Sequence, residues 1–164
     1  MRYAQIRPYD VANGEGIRVS IFVTGCTHRC PECFNEAYQD FNFGQEWTDE
    51  TTQEVISYLE RPEISGLTLL GGEPMQNLYL AEILRKLRAR VDKSVWIYSG
   101  YTYEQIIEHP GRRALLEECD VLVDGLFVLA LRDLKLRFRG SSNQRIIDIK
   151  ESLRAGEPVL HRLK

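Results

Sequence analysis

Three of the four cysteines in this chain lie within eight residues, in the stretch GCTHRCPECFN. An alternating, β-branched run, IRVSIFV, leads directly into them and predicts a strand. Cys26, Cys30 and Cys33 are too crowded to form a useful disulfide staple. Closely spaced thiols in a reducing compartment more often hold a metal or carry out redox chemistry. The fold must therefore deliver a strand to a short loop that presents three thiols together.

The rest of the chain suggests a reducing, cytoplasmic location. The N-terminal sequence, MRYAQIRPYD, lacks the apolar segment of a secretory signal. The longest apolar run, VLVDGLFVLAL, is interrupted by Asp124 and is too short to cross a bilayer. With 43% hydrophobic and 27% charged residues, the 164-residue chain can bury a sizeable core. We expect one cytoplasmic domain, 1–164, with no membrane partner.

The charge is distributed unevenly. Residues 132–164 carry nine Lys and Arg against four Asp and Glu, a net +5 in a chain whose total is −3. A basic segment of this kind can contact an acidic partner or an anionic ligand, and it can also be a solvated face. Aromatic residues are not interleaved with the cations, so nucleic-acid binding is not predicted.

Short apolar runs alternate with helical patterns along the chain. The predicted strands are 17–23, 67–70, 94–100, 120–125 and 145–149. The predicted helix starts are a capping box of Thr51 and Glu54 in a helix over about 49–60, an Asn77 N-cap, and Thr102 with Gln105. Strands that alternate with helices favour βαβ units, so we predict an α/β fold with a mainly parallel sheet.

The turns after four of these strands all contain glycine and read GCTHRCPEC, GGEP, SGY and DG. Glycine permits unusual backbone angles and a close approach of the main chain to a ligand. In parallel sheets, binding sites lie at the carboxyl ends of the strands. The four turns therefore predict a single site at one edge of the sheet.

Two inorganic groups could use the C-x3-C-x2-C pattern. A structural zinc ion needs four ligands, but His28 is cramped between Cys26 and Cys30, and no second ligand pair follows. A cubane iron–sulfur cluster can be held by three thiolates of a short loop, which leaves one iron open. Cys119 is a distant alternative for a fourth ligand, although a buried apolar role suits it better. We assign His28 to shaping the loop by hydrogen bonding.

The motifs together resemble the radical S-adenosylmethionine superfamily, which combines C-x3-C-x2-C after a first strand with GGEP after a second. Within it, the chain resembles the glycyl-radical activases of anaerobic ribonucleoside-triphosphate reductase. The stretches that carry this likeness are NGEGIR, GCTHRCPECFN, WIYSGYTYE, VDGLF and RFRGSSNQR, over about 13–149. The resemblance implies an open partial TIM-like (β/α) barrel, with a basic tail at 150–164.

The resemblance also implies roles for individual residues. Three thiolates would hold a [4Fe-4S] cluster: Cys26, Cys30 and Cys33. The positions implied to contact S-adenosylmethionine are Glu32, Phe34, Gly71, Gly72, Glu73, Pro74, Ser99, Gly100 and Asp124. Many members of the superfamily have an aromatic residue where this chain has Glu32. Contact with the adenine at this position must therefore come from the backbone or from Phe34. Phe34 could equally be an aromatic residue of the core.

Some of these positions have simpler explanations from the residues alone. Ser99 can form a turn, and Asp124 can cap the segment that follows it. Arg139 and Arg145 bracket the polar stretch GSSNQ, where they either contact an anion or a partner, or belong to a solvated loop. No catalytic side chain is expected beyond the cluster and S-adenosylmethionine.

The function implied by the resemblance is that of an oxidoreductase similar to the formate C-acetyltransferase-activating enzyme. A flavodoxin-like donor would reduce the cluster, S-adenosylmethionine would be cleaved, and a glycyl radical would form on the large subunit of anaerobic ribonucleoside-triphosphate reductase. Two alternatives remain at this point. The chain could activate another glycyl-radical enzyme or act on a small molecule, or it could be a zinc-stabilised interaction module without catalysis.

Overall fold

The computed structural model describes residues 1–164, which form one sheet and five α-helices. The strands are β1 Arg2–Asp10, β2 Arg18–Val23, β3 Gln45–Glu46, β4 Gly66–Gly71, β5 Ser94–Tyr98, β6 Val121–Asp124 and β7 Arg145–Asp148. The helices are α1 Asp49–Leu59, α2 Leu80–Arg88, α3 Tyr103–Glu108, α4 Pro110–Glu117 and α5 Ile149–Ala155. None of the helices is long and apolar enough to span a membrane.

The sheet has a parallel centre and antiparallel borders. Its strand order is β3-β1-β2-β4-β5-β6-β7, and the sheet is not closed. The pairings β2–β4, β4–β5 and β5–β6 are parallel, whereas β1 and β7 pair antiparallel with β2 and β6. The predicted α/β class is confirmed, and the parallel arrangement holds for the four central strands. The TIM-like barrel is not confirmed.

Several helix boundaries differ from the sequence prediction. Thr48, not Thr51, is the N-cap of α1, and Thr51 occupies the third helical position of the capping box. Asn77 does not cap α2, which begins at Leu80; its side-chain amide instead donates to the carbonyls of Thr24 and Glu73 at 3.1 and 2.9 Å. Helix α2 begins after Tyr79 without a side-chain cap, and Asn77 instead serves as a donor to two carbonyls near the strand ends.

Other elements were missed or confirmed. Thr102 and Gln105 form the predicted capping box of α3. Strand β1 was not predicted, because the N-terminal residues mix charges with apolar side chains. The fifth predicted strand ends one residue early, since the Asp148 side chain accepts a hydrogen bond from Glu151 N and caps α5.

The two faces of the sheet are covered differently. All five helices pack on one face, the helix face, where one cluster of 27 buried residues includes Val19, Leu69, Ile97 and Leu122. The opposite face, the loop face, carries a small cluster of Trp96, Val121, Val123 and Ile146 and several polar side chains. Side chains alternate between the faces of a strand, so each central strand contributes to both. The loop face is therefore the one left for a site.

Arg18 is the most deeply buried charge on the loop face. Its guanidinium donates to Thr68 Oγ1 at 2.9 Å and to the carbonyls of Leu67 and Ser94, each at 2.9 Å. Burial lowers the pKa of Arg18 to about 10. A Cβ on Gly14 would lie 2.8 Å from Arg18 Cδ, so the NGEGIR stretch packs closely over this side chain. Arg18 thus ties the starts of β2, β4 and β5 to the segment that precedes β2.

Replacement of Arg18 should show how much its hydrogen bonds contribute to the free energy of unfolding. We expect Arg18→Met to lower the free energy of unfolding by about 2–4 kcal/mol, because buried acceptors on two strands lose their donors. The exposed Arg90, which makes no ion pair or side-chain hydrogen bond, provides the matched control Arg90→Met. Urea denaturation of the cluster-free chain under reducing conditions measures both. Equal stability of the two variants would contradict the assignment.

Candidate functional site

The carboxyl ends of the four parallel strands meet at one edge of the sheet, and hydrogen bonds join the turns that follow them. Glu73 N donates to Gly25 O at 2.8 Å and links the turn after β4 to the cysteine loop. Gly100 N donates to the Glu73 carboxylate at 2.7 Å and links the turn after β5 to both. Gly125 N reaches Tyr101 O at 3.2 Å. The four turns therefore form one connected assembly.

The cysteine loop presents three free, half-buried thiols from Cys26, Cys30 and Cys33. Two non-glycine residues in this loop, Arg29 and Glu32, adopt left-handed backbone angles with φ of 55° and 54°. Such angles are uncommon outside glycine and persist where surrounding contacts fix them. They reverse the chain between successive cysteines, so that all three side chains face common space.

The chemistry of the three thiols suits an iron–sulfur cluster. Burial raises the pKa of Cys26 to about 11, and it also raises the pKa of Cys30. Cluster binding must therefore displace protons, as is general for thiolate ligands. The three thiols line one cavity, where each can bind a separate iron of one cluster.

Glu73 is the central buried acid of the site, with only 1% of its surface exposed. Its carboxylate accepts hydrogen bonds from Gly100 N at 2.7 Å and from Met75 N at 2.9 Å. His28 Nε2 lies 2.6 Å from the same carboxylate. The Glu73 carboxylate thus joins the cysteine loop to the turns after β4 and β5.

Glycines are required where these turns touch. A Cβ on Gly71, whose φ is +147°, would lie 2.1 Å from Val23 O. One on Gly100 would lie 2.7 Å from the ring of His28. Side chains at either position would separate the turns, so the glycine content of GGEP and SGY reflects close packing as well as turn formation.

A cavity of about 590 Å³ opens beside these turns on the loop face. It is lined by ten of the residues predicted to belong to the site: Cys26, Cys30, Cys33, Phe34, Gly71, Gly72, Glu73, Ser99, Gly100 and Arg139. Four others do not line it: Glu32, Pro74, Asp124 and Arg145. The structure thus brings the three thiols and the buried acid into one cavity.

Comparison with known proteins identifies the family. A family model for 4Fe-4S single cluster domains matches residues 12–147. The chain is 40% identical to the anaerobic ribonucleoside-triphosphate reductase-activating protein of Haemophilus influenzae over 88% of this chain and 96% of that one. The proteins of the same name from Enterobacteria phage T4 and Escherichia coli K12 are 39% and 36% identical, over 89% and 88% of this chain and 93% and 96% of theirs. The chain belongs to this family of activating proteins, and it is an iron–sulfur protein.

Two residues expected at the site have other partners in this family member. Asp124 accepts hydrogen bonds from Tyr103 N at 2.7 Å and from Arg145 at 2.6 Å, and it faces away from the cavity. Arg145 also pairs with Glu104 at 2.8 Å. Asp124 therefore binds the first residue of α3, which precedes it in the chain, and does not cap the segment that follows it. The Arg145 guanidinium is occupied by two carboxylates.

The residues around the third cysteine are more exposed than expected. Phe34 is 65% exposed and lies with its ring centroid 5.1 Å from that of Phe127, so its interpretation as a core aromatic is wrong. Glu32 is exposed, and its carboxylate lies 3.8 Å from the Arg132 guanidinium.

Pro74, which was expected at the site, begins a short 3-10 turn, Pro74–Gln76, and the Glu73 side chain caps this turn.

A row of side chains behind His28 was not anticipated. The His28 ring contacts the Tyr101 ring edge-on, with 4.6 Å between the ring centroids. The Arg112 guanidinium lies over the same Tyr101 ring, 3.8 Å from its centroid. The Tyr101 hydroxyl accepts from Arg112 and Gln76 at 2.9 and 3.0 Å. Only the position of Tyr101 directly after SG gave a signal in the sequence. These contacts fix the ring of His28 against Glu73.

His28 should therefore contribute through its bond to Glu73. We expect His28→Ala to lower the free energy of unfolding of the cluster-free chain by about 1–3 kcal/mol, because a buried carboxylate loses a donor. His28→Gln retains an N–H group and should recover most of the loss. Urea denaturation under reducing conditions measures both variants. Identical curves for His28→Ala and the unaltered chain would rule the bond out as a stabilising contact.

Proposed function

We propose that this chain is a radical S-adenosylmethionine activase that generates a glycyl radical on anaerobic ribonucleoside-triphosphate reductase. One observation carries the proposal: three free thiols and one buried carboxylate line the same cavity at the joined strand ends. Membership of the activating-protein family supports it. We treat 1–164 as a single domain, with 13–149 as its core and 150–164 as a basic tail.

The proposed cluster ligands are Cys26, Cys30 and Cys33. Cys119 does not join them, because it is fully buried on the helix face and its thiol donates to Leu115 O at 3.4 Å. Three thiolates leave one iron of a [4Fe-4S] cluster without a protein ligand. That position is available to the amino and carboxylate groups of S-adenosylmethionine.

The proposed S-adenosylmethionine contacts lie beside the thiols. The Glu73 carboxylate supplies negative charge for the methionine ammonium, and Gly71 and Gly72 let the main chain approach it. Phe34 and the backbone near Glu32 are available to the adenine, and Ser99 and Gly100 to the ribose and methionine. When bound, the reduced cluster supplies the electron that cleaves S-adenosylmethionine to methionine and a 5′-deoxyadenosyl radical.

Two partners are proposed. The large subunit of the reductase, the enzyme for which the relatives are named, provides the glycine. A small flavodoxin-like protein provides the electron. The reaction class is that of the formate C-acetyltransferase-activating enzyme, in which the macromolecule is the substrate. Four free cysteines suit a reducing cytoplasm.

Loss of one cluster ligand should abolish the activity. We expect reconstituted wild-type protein to bind about four irons per chain, the content of a cubane cluster. After reduction it should form 5′-deoxyadenosine and produce a glycyl-radical signal on the reductase. Cys30→Ala should lose the cluster and both products. Metal analysis, product chromatography and electron paramagnetic resonance measure the three quantities under anaerobic conditions.

Cys119→Ala is the matched control and should keep the cluster and both products. Full cluster content in Cys30→Ala would show that the ligand set is wrong. A colourless wild-type protein that binds zinc and forms no 5′-deoxyadenosine would support the interaction-module alternative. A glycyl radical on a different enzyme, and none on this reductase, would correct the partner.

The role of Glu73 can be separated from that of the cluster. We expect Glu73→Gln to retain the cluster and to bind S-adenosylmethionine about 10- to 100-fold more weakly, because a charge-assisted hydrogen bond to the ammonium is lost. Glu36→Gln, an exposed change in the same loop region, is the control. Anaerobic calorimetric titration of reconstituted protein gives the affinities. An unchanged affinity in Glu73→Gln would remove this residue from the binding site.

A further inference from the structure

Residues 126–140, which belong to the connection between β6 and β7, form one wall of the cavity, and we call this segment the strap. Seven of its residues line the cavity: Phe127, Asp133, Leu134, Leu136, Phe138, Arg139 and Gly140. The Phe127 ring packs on Phe34 next to the third cysteine. The Tyr98 hydroxyl donates to Phe138 O at 2.6 Å. The strap therefore spans from the cysteine loop to the end of β5.

The strap exposes an unusual amount of apolar surface. Of the thirteen large hydrophobic side chains exposed in the whole chain, five belong to the strap, with exposures from 36% to 85%: Leu126, Val128, Leu129, Leu131 and Leu134. Single exposed apolar residues are ordinary, whereas a cluster of them marks an interaction surface. Leu134 of this cluster also lines the cavity, so the exposed apolar surface adjoins the cavity.

The exposure is not a consequence of a loose loop. The strap is held by hydrogen bonds along its length, from Ser142 N to Leu131 O at 3.0 Å and from Val128 N to Ser141 Oγ at 3.2 Å. The Asn143 side chain donates to Leu126 O at 2.8 Å. A surface fixed in advance loses little conformational entropy when a partner binds.

The charge of the strap indicates what it can bind. It carries Arg132, Lys135, Arg137 and Arg139 against one acid, Asp133. Lys135 makes no ion pair, and Arg132 has only the 3.8 Å contact with exposed Glu32. Cations interspersed with leucines are complementary to an apolar segment that carries acidic residues.

We propose that the strap is the docking surface for the segment of the reductase that carries the target glycine, an extended apolar stretch with acidic residues. This inference rests on the proposed function, because it concerns the partner of the same cavity. The strap forms one wall of the cavity, so a glycine that reaches the thiols passes beside the strap. The polypeptide on either side of that glycine then lies next to the exposed leucines and cations of the strap.

Two variants test the strap at positions outside the cavity. Leu129→Ser/Leu131→Ser removes exposed apolar surface, and Lys135→Glu reverses a charge; none of the three residues lines the cavity. Leu160→Ser, at a leucine near the C-terminus that is 65% exposed, against 38% for Leu129 and 43% for Leu131, is the control. Each reconstituted protein is measured for affinity to the intact reductase by interferometry, for 5′-deoxyadenosine formed without reductase, and for glycyl radical formed with it.

We expect both strap variants to bind the reductase at least 10-fold more weakly and to lose glycyl radical in proportion, while 5′-deoxyadenosine formation without reductase stays within twofold. Lys135→Glu should also slow association and flatten its dependence on salt. Leu160→Ser should match the wild type. Wild-type affinity in both strap variants would overturn the proposal and leave the proposed function intact. An equal loss in Leu160→Ser would also overturn it.

Two further outcomes identify a different explanation. Sedimentation of the same proteins shows whether the double variant dissociates a dimer. Dissociation without a change in reductase affinity would assign the strap to a second copy of this chain and overturn the docking proposal. Wild-type protein that forms no 5′-deoxyadenosine would instead overturn the proposed function itself, so the two failures are distinguishable.

Discussion

The buried carboxylate of Glu73 is the contact on which the site depends. It accepts backbone hydrogen bonds from its own turn and from the turn after β5, and it bonds to His28 in the cysteine loop. Three segments that are distant in the sequence are thereby held at one point. Because a buried acid without donors is costly, each of these contacts favours the arrangement in which the others also form. These bonds keep the turn that carries the acid next to the loop that carries the thiols.

The two faces of the sheet bury different kinds of side chain. The helix face holds the continuous apolar core, and the loop face holds polar groups that a core would not tolerate. Arg18 illustrates the difference, since its charge is buried against carbonyl and hydroxyl oxygens and no carboxylate. Such a group stabilises only one arrangement of strands, and it lies at the end of the sheet opposite the cysteines.

Much of this organisation could be predicted from the sequence. The alternating apolar runs located the four central strands, and the glycine turns after them identified which edge would carry the site. The antiparallel strand β1 could not be found in the same way, because its pairing depends on β2 and not on its own pattern. The orientation of Asp124 could also have been predicted from the sequence. Asp124 is two residues after Leu122, and side chains two apart on a strand point to the same face. Because Leu122 lies on the helix face, the Asp124 side chain lies there too, next to α3 and not in the cavity.

The ends of the sheet have a consequence for how the chain behaves in solution. An unpaired edge strand is a template for joining sheets of separate molecules. Here β3 is only two residues long and pairs with β1 at Arg2 and Tyr3, while β7 at the other edge is partly covered by a bridge between Ile147 and Leu160. The stretch of β1 that β3 leaves unpaired contains Arg7, which is exposed, and Pro8, and a charge or a proline on an edge strand disfavours pairing with another sheet. The chain can therefore expose the leucines of its strap to a partner without also exposing a long apolar edge strand.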